Sequence, residues 1–357
     1  LELHYTQGET NMNISGLRPR LVAVLTAIVV SIGMLSLSMA PAWAAAGTVT
    51  EFNVPSGAPF GITSGPDGNL WFTDSASAIG RITPSGSITL FTVPGSRPEH
   101  ITVGPDGNLW FTDRATSKIG RITTGGSFTE FPVPTASVVF QDITAGPDGN
   151  LWFTEDVLGG NGNKIDGKIG RITTTGSVTE FPLPKSCTFI FCGPIGITAG
   201  PDGNLWFAAP DVNAIGRITP TGSVTEFTIP TANDGPYAIT SGPDGNLWFT
   251  EAMNDVGRVT ITGSFTQFRV GGVCVANEGC EAFGITSGPD GNLWFTAGAS
   301  DTIDILGRVT PTGSFTAFPL PKDGTDGSQP RIITTGLDGN LWFTEQLAGE
   351  IGRITTS

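Results

Sequence analysis

Gly146 to Thr154 reads GPDGNLWFT, Ile169 to Thr173 reads IGRIT, and Ser177 to Pro184 reads SVTEFPLP. The Pro-Asp-Gly-Asn segment is a hairpin signal, because Asp and Asn bond their own backbone and Gly accepts a positive φ. The Asn-Leu-Trp-Phe-Thr that follows alternates its side chains between two faces, as a strand does. IGRIT and SVTEF read as two further strands joined by a Gly-containing turn. A short segment ahead of the turn, Gly-Ile-Thr in most copies, supplies the first strand. The unit is therefore four antiparallel strands, a to d.

This unit recurs along the whole chain. The GPDGNLWFT motif occurs seven times with small changes, carrying Trp71, Trp110, Trp152, Trp206, Trp248, Trp294 and Trp342. An Ile/Val/Leu-Gly-Arg strand follows each, from Ile79-Gly80-Arg81 to Ile351-Gly352-Arg353. A period of about 40–50 residues is that of a propeller blade. One strand d, Thr48 to Val54 (TVTEFNV), stands ahead of the first copy, and the last copy stops after its strand c. The expected fold is all-β: a seven-bladed β-propeller of four-stranded antiparallel blades over residues 45–357, its ring closed by the N-terminal strand. Closure leaves no open sheet edge between first and last blades. Composition agrees, with 50 Gly, 26 Pro and 22 Phe but only 14% charged residues.

Residues 1–44 read as a leader. Arg18 and Arg20 precede an apolar run from Leu21 to about Ala40, and Ala42-Trp43-Ala44 offers a small-x-small cleavage site. Met12 offers an alternative start, which would make residues 1–11 an upstream artefact. The expectation is export to a secreted, periplasmic or cell-envelope location, with no membrane association unless the leader stays uncleaved. In that compartment Cys187 with Cys192, and Cys274 with Cys280, favour two local disulfides over the other pairings or a four-thiolate zinc site. The net charge of −14 excludes a nucleic-acid partner, and a monomer is expected.

What all seven copies share is most simply packing. The tryptophans are expected in the core, where each hides roughly 150–250 Å². Each IGR arginine is expected to cap a carboxylate or stack on a Trp, and each turn Asp to bond its own turn. Function belongs where the repeat breaks. The a–b turns are constant in length, whereas the b–c and d–a connections, which share one face, vary. Just before the Ile-Thr core of strand a stand Phe60, Glu99, Gln141, Ile195, Tyr237, Phe283 and Arg331, followed by a second series that includes His100 and Asp142. Phe60, Gln141, Tyr237, Phe283 and Arg331 are the candidate ligand-binding residues. His100, with Glu99, is the candidate catalytic pair. The blander role for His100 is a bond to a neighbouring carboxylate. Asp113, Asp142 and Glu155 are candidate metal ligands, of the oxygen type that suits Mg²⁺ or Ca²⁺; the residues alone establish no cofactor.

The repeat closely resembles the virginiamycin B lyase (streptogramin lyase) family over the whole mature chain. That resemblance implies Mg²⁺-dependent elimination that linearises a cyclic depsipeptide. It also implies a His before the strand a core in the last two blades, where this chain has Phe283 and Arg331. The family's Glu two residues before the last His corresponds to Gln329, its metal-binding Glu to Gln346, and its first-blade Tyr to Phe60. Two expectations follow. The favoured one is a channel mouth that binds a small molecule, glycan or peptide without catalysis. The alternative is a metal-dependent carbon–oxygen lyase acting on a streptogramin B, or a lactonase-type enzyme, with its site relocated to Glu99, His100, Asp113, Asp142 and Glu155.

Overall fold

The computed structural model describes residues 47–356 apart from 56, 137, 159–163, 185–192, 232–234, 252–254, 271–280, 299–303 and 322–327. The leader and all four cysteines lie outside the described residues. Among the described residues no helix is long and apolar enough to cross a membrane.

Seven four-stranded antiparallel sheets follow the order a-b-c-d. Blade one is Pro59–Ser64, Leu70–Asp74, Ala78–Ile82 and Ile88–Thr92. Blade seven is Pro330–Thr335, Leu341–Glu345 and Glu350–Ile354, completed by Val49–Asn53 from the other end of the sequence. Phe52 pairs with Ile351 and Glu51 with Gly352. The strand a of each blade touches that of the next, and blade seven's touches blade one's. The ring is thereby closed around a channel lined by seven strands a.

Each of the seven repeat tryptophans is at most 1% exposed and packs into the following blade. Trp71, for example, lies against Ile101, Leu109 and Phe111 of blade two. Its indole N–H donates to Asp67 of its own turn at 3.0 Å. The Arg81 guanidinium lies over both Trp71 and Phe91, at 5.8 and 5.7 Å from the ring centroids. The turn Asp and the IGR Arg are thus the polar brackets of an aromatic pair whose Trp is fully buried and whose Phe is partly so. The IGR glycine has an equally physical cause. A Cβ on Gly216 would sit 2.1 Å from Phe207 Cζ, so only hydrogen leaves room for the strand b ring.

Candidate functional site

At the mouth, strand a slips register against strand b in six blades, as between Pro98 and Ile101 and between Pro330 and Ile333. Such a bulge re-aims the intervening side chains, which here are the two mouth positions of each blade. The Thr of each LWFT strand holds the bulge in place. Thr296 accepts the Gly284 N–H at 2.9 Å and donates to the Arg331 carbonyl of the next blade at 2.6 Å. Thr344 does the same between Ile332 and Phe60, at 3.2 and 2.7 Å. Blade four has Ala208 instead, and there the Gly196 N–H reaches the Tyr237 carbonyl directly at 3.0 Å.

The bulges surround a cavity of about 270 Å³. Phe60, Glu99, His100, Gln141, Tyr237 and Arg331, all expected at the mouth, line it together. So do Arg97, Arg114 and Gln346. Arg97 and Arg114 stand in the variable connections, a signal that marked their face but not the residues. An adjoining space of about 90 Å³ shares His100 and Tyr237 and is otherwise walled by Asp142 and apolar residues including Ile239 and Ile285.

His100 Nδ1 lies 3.1 Å from Asp142 Oδ1, and the His ring meets Phe60 edge-on at 5.2 Å between centroids. Asp142 also accepts the Ile143 and Ile197 amides at 2.8 and 3.0 Å. Glu99 pairs with Arg114 at 3.1 Å, and the Gln141 amide donates to Asp156 at 2.6 Å. Arg331 is held on three sides. Its Nε donates to Gln346 Oε1 at 2.9 Å, its Nη2 to Gln329 Oε1 at 3.0 Å, and its Cζ lies 4.3 Å from the Phe283 ring centroid. Phe283 is buried behind Arg331 and meets Tyr237 edge-on at 5.9 Å, so it supports the mouth rather than lining it.

The expected carboxylate group of Asp113, Asp142 and Glu155 is not brought together. Asp113 ends strand b, fully buried, and accepts hydrogen bonds from Ser96 Oγ, the Arg97 and Ala115 amides and Thr116 Oγ1 at 2.6–2.9 Å. Burial pushes its pKa up, but those bonds outweigh burial and hold it below the usual range. It ties two loops. Glu155 is fully buried, and neither carboxylate oxygen has a hydrogen-bond partner. Burial, reinforced by Glu180 and partly offset by Lys168, pushes it up to about 8. Only Asp142 reaches the space beside His100. The physical reason is position: the residue after the Leu-Trp-Phe-Thr of strand b turns into the blade, not into the channel.

Comparison with known proteins extends this geometry. The model of the virginiamycin B lyase family matches residues 41–190, 161–273 and 193–357. The chain belongs to the virginiamycin B lyase family. Solved members of similar structure include selenomethionine-substituted virginiamycin B lyase from Staphylococcus aureus, 35% identical over 87% of this chain and 99% of that one, with a TM-score of 0.75. A catalytically inactive His-to-Ala variant of the Staphylococcus aureus enzyme, with quinupristin, is 36% identical over 87% of this chain and 99% of that one, with a TM-score of 0.74. The WD40 propeller domain of Doa1, 10% identical over 88% of this chain and 98% of that one with a TM-score of 0.67, shares the fold alone. No curated protein matches the chain in a sequence search.

Proposed function

We propose that this virginiamycin B lyase family member is an exported binding propeller. Its mouth captures a small molecule, glycan or peptide that carries an acidic group, and the family's catalytic residues are replaced. The observation that carries the reading is the clamp on Arg331. A guanidinium stacked on Phe283 and bonded to two neutral amides has its charge fixed in the cavity with no carboxylate paired to it among the described residues. Arg97 lines the same cavity. In a protein of net charge −14, a local cluster of arginines favours a carboxylate or sulfate group, which matches the guanidinium fork.

The position that the family resemblance assigns to a metal-binding Glu, Gln346, does not fit Mg²⁺ here, and Gln329 beside it does not help. Gln329 and Gln346 offer neutral amide oxygens already engaged by Arg331. A cation between them would also meet the guanidinium charge.

One observation favours the second reading, a relocated lyase or lactonase. Asp142 on His100 Nδ1 is the arrangement that holds an imidazole with Nε2 as base, and His100 lines the cavity. The deciding experiment is turnover of a streptogramin B by the purified protein with Mg²⁺ or Mn²⁺, followed by mass spectrometry. No conversion is expected, while acidic glycans or peptides raise the thermal midpoint. Conversion to a linear elimination product, lost in His100→Ala, would overturn the binding reading. Export is tested separately by N-terminal sequencing of protein recovered outside the cytoplasm, with Ala45 as the expected first residue.

A further inference from the structure

At the outer half of the blades, one position in strand b carries an acid in several copies, and the cross-strand partner in strand c decides how it is neutralised. In blade two Asp113 pairs with Lys118, whose ammonium reaches Glu130 of strand d at 2.7 Å. In blade three Glu155 pairs with Lys168, whose ammonium reaches Glu180 at 3.0 Å. The pattern is acid, lysine, acid across strands b, c and d. In blade five Glu251 accepts the amide of Gln267 from strand d, at 3.0 and 3.1 Å.

The closing blade reverses the sign of the middle member. Glu345 of strand b pairs with Glu350 of strand c, and Glu51 of the N-terminal strand d stands where Glu130 and Glu180 stand elsewhere. One oxygen from each of the three lies within 4.8 Å of the others. Among the described residues this is the one such group of three. Glu345 is fully buried, neither of its oxygens makes a well-formed hydrogen bond, and the one donor close enough to ease its charge is the Ser328 hydroxyl. The nearby Ser328 hydroxyl is committed to Asp304 at 3.0 Å. The Coulombic influences on Glu345 come from Glu51, Glu350 and Asp304, and all of them oppose its charge. A buried carboxylate with no partner is costly unless a cation joins it.

We propose that Glu51, Glu345 and Glu350 form a site for a hard divalent cation of the Ca²⁺ class. The cation takes the place that a lysine ammonium holds in blades two and three, and it links strands from the two ends of the sequence. Three carboxylates this close can all reach an ion at about 2.3–2.6 Å, and water completes the six to eight oxygens that Ca²⁺ takes. The ion is a structural clasp on ring closure; Glu345 stands beside the clamp, before Gln346 and opposite Pro330, but none of the three carboxylates belongs to the clamp.

The test is calorimetric titration of chelator-treated protein with CaCl₂, paired with thermal unfolding in EDTA and in Ca²⁺. One saturable site is expected. At Ca²⁺ about a hundredfold above Kd, the midpoint rises by roughly 4 °C. Glu350→Lys rebuilds the pattern of blades two and three. It should fold, unfold in EDTA at or above the wild-type temperature, and show neither Ca²⁺ heat nor a Ca²⁺ shift. Absence of both responses in the wild type would mean that shared protons neutralise the cluster, and would overturn the proposal. A Ca²⁺ shift that survives in Glu350→Lys would place the ion elsewhere and overturn it too.

Discussion

The guanidinium of Arg331 lies 4.3 Å from the centre of the Phe283 ring, so a buried ring of blade six supports the charge that blade seven presents at the channel mouth. These two positions are where the family resemblance places its histidines. The aromatic ring supports the cation, and Gln329 and Gln346 fix its plane. An oriented guanidinium at this place is what the proposed binding of an acidic ligand requires.

Arg331→Ala is therefore expected to weaken binding of an acidic ligand at least about tenfold, a loss of about 1.4 kcal/mol. Arg331→Lys should recover little of this, because an ammonium cannot hold both amides and stack on Phe283. Titration of a ligand obtained by thermal-shift screening checks both variants. Their unfolding midpoints should stay within a few degrees of wild type, since Arg331 is only half-buried and lies outside the core.

Much of this was legible in the sequence, for reasons that differ by residue. The Trp, the turn Asp and the IGR Gly recur because each solves the same packing problem in every blade, so period alone exposes the fold. Phe60, His100, Gln141, Tyr237 and Arg331 could be placed at the mouth because strand a has a fixed phase relative to its turn. The bulge that aims them has no residue signature and appears only in the register. Asp113 and Glu155 were grouped with His100 because they share a blade end. Side-chain direction just after the Leu-Trp-Phe-Thr of strand b, set by tertiary packing, sends them inward instead. The acid–lysine–acid pattern was missed because its members come from three strands, and in the closing blade from both ends of the chain.

Gly216→Ala is expected to destabilise the propeller by about 1–3 kcal/mol, as overpacking in a core does. The added methyl would meet Phe207 at 2.1 Å, and that ring is fully buried with nowhere to move. Urea unfolding measures the loss. Gly203→Ala is a useful contrast, because no atom lies within 4 Å of its Cβ position and its cost comes from the φ of +75° alone.

Thr296→Val tests the hydroxyl relay between blades. Without the hydroxyl, the Gly284 N–H and the Arg331 carbonyl both lose their partner. Leaving such buried groups unpaired costs about 1–3 kcal/mol. Because the relay ends on the Arg331 backbone, ligand affinity should fall along with stability. A loss of stability with unchanged affinity would show that the clamp does not depend on the bulge.

Stability should fall as pH rises between about 5 and 8, and Glu155 supplies part of that slope. Burial raises its folded pKa from 4.5 to about 8, so in this window the folded chain keeps a proton that the unfolded chain has released. The contribution is fully present below about pH 4.5 and is lost as pH passes 8. Asp67, Asp113, Asp148 and Glu180 act with the opposite sign. Burial raises each of them, but hydrogen bonds to the charged carboxylate outweigh it and leave their pKa values lowered. Their effect is confined to pH below about 4.5, so it does not mask the window. Glu155→Gln keeps the shape of the side chain and stays neutral throughout. Its midpoint should nearly equal wild type at pH 5 and exceed it by several degrees at pH 8, measured by thermal unfolding in matched buffers. A midpoint difference that does not change with pH would mean that Lys168 and Glu180 already balance a charged Glu155 inside the blade.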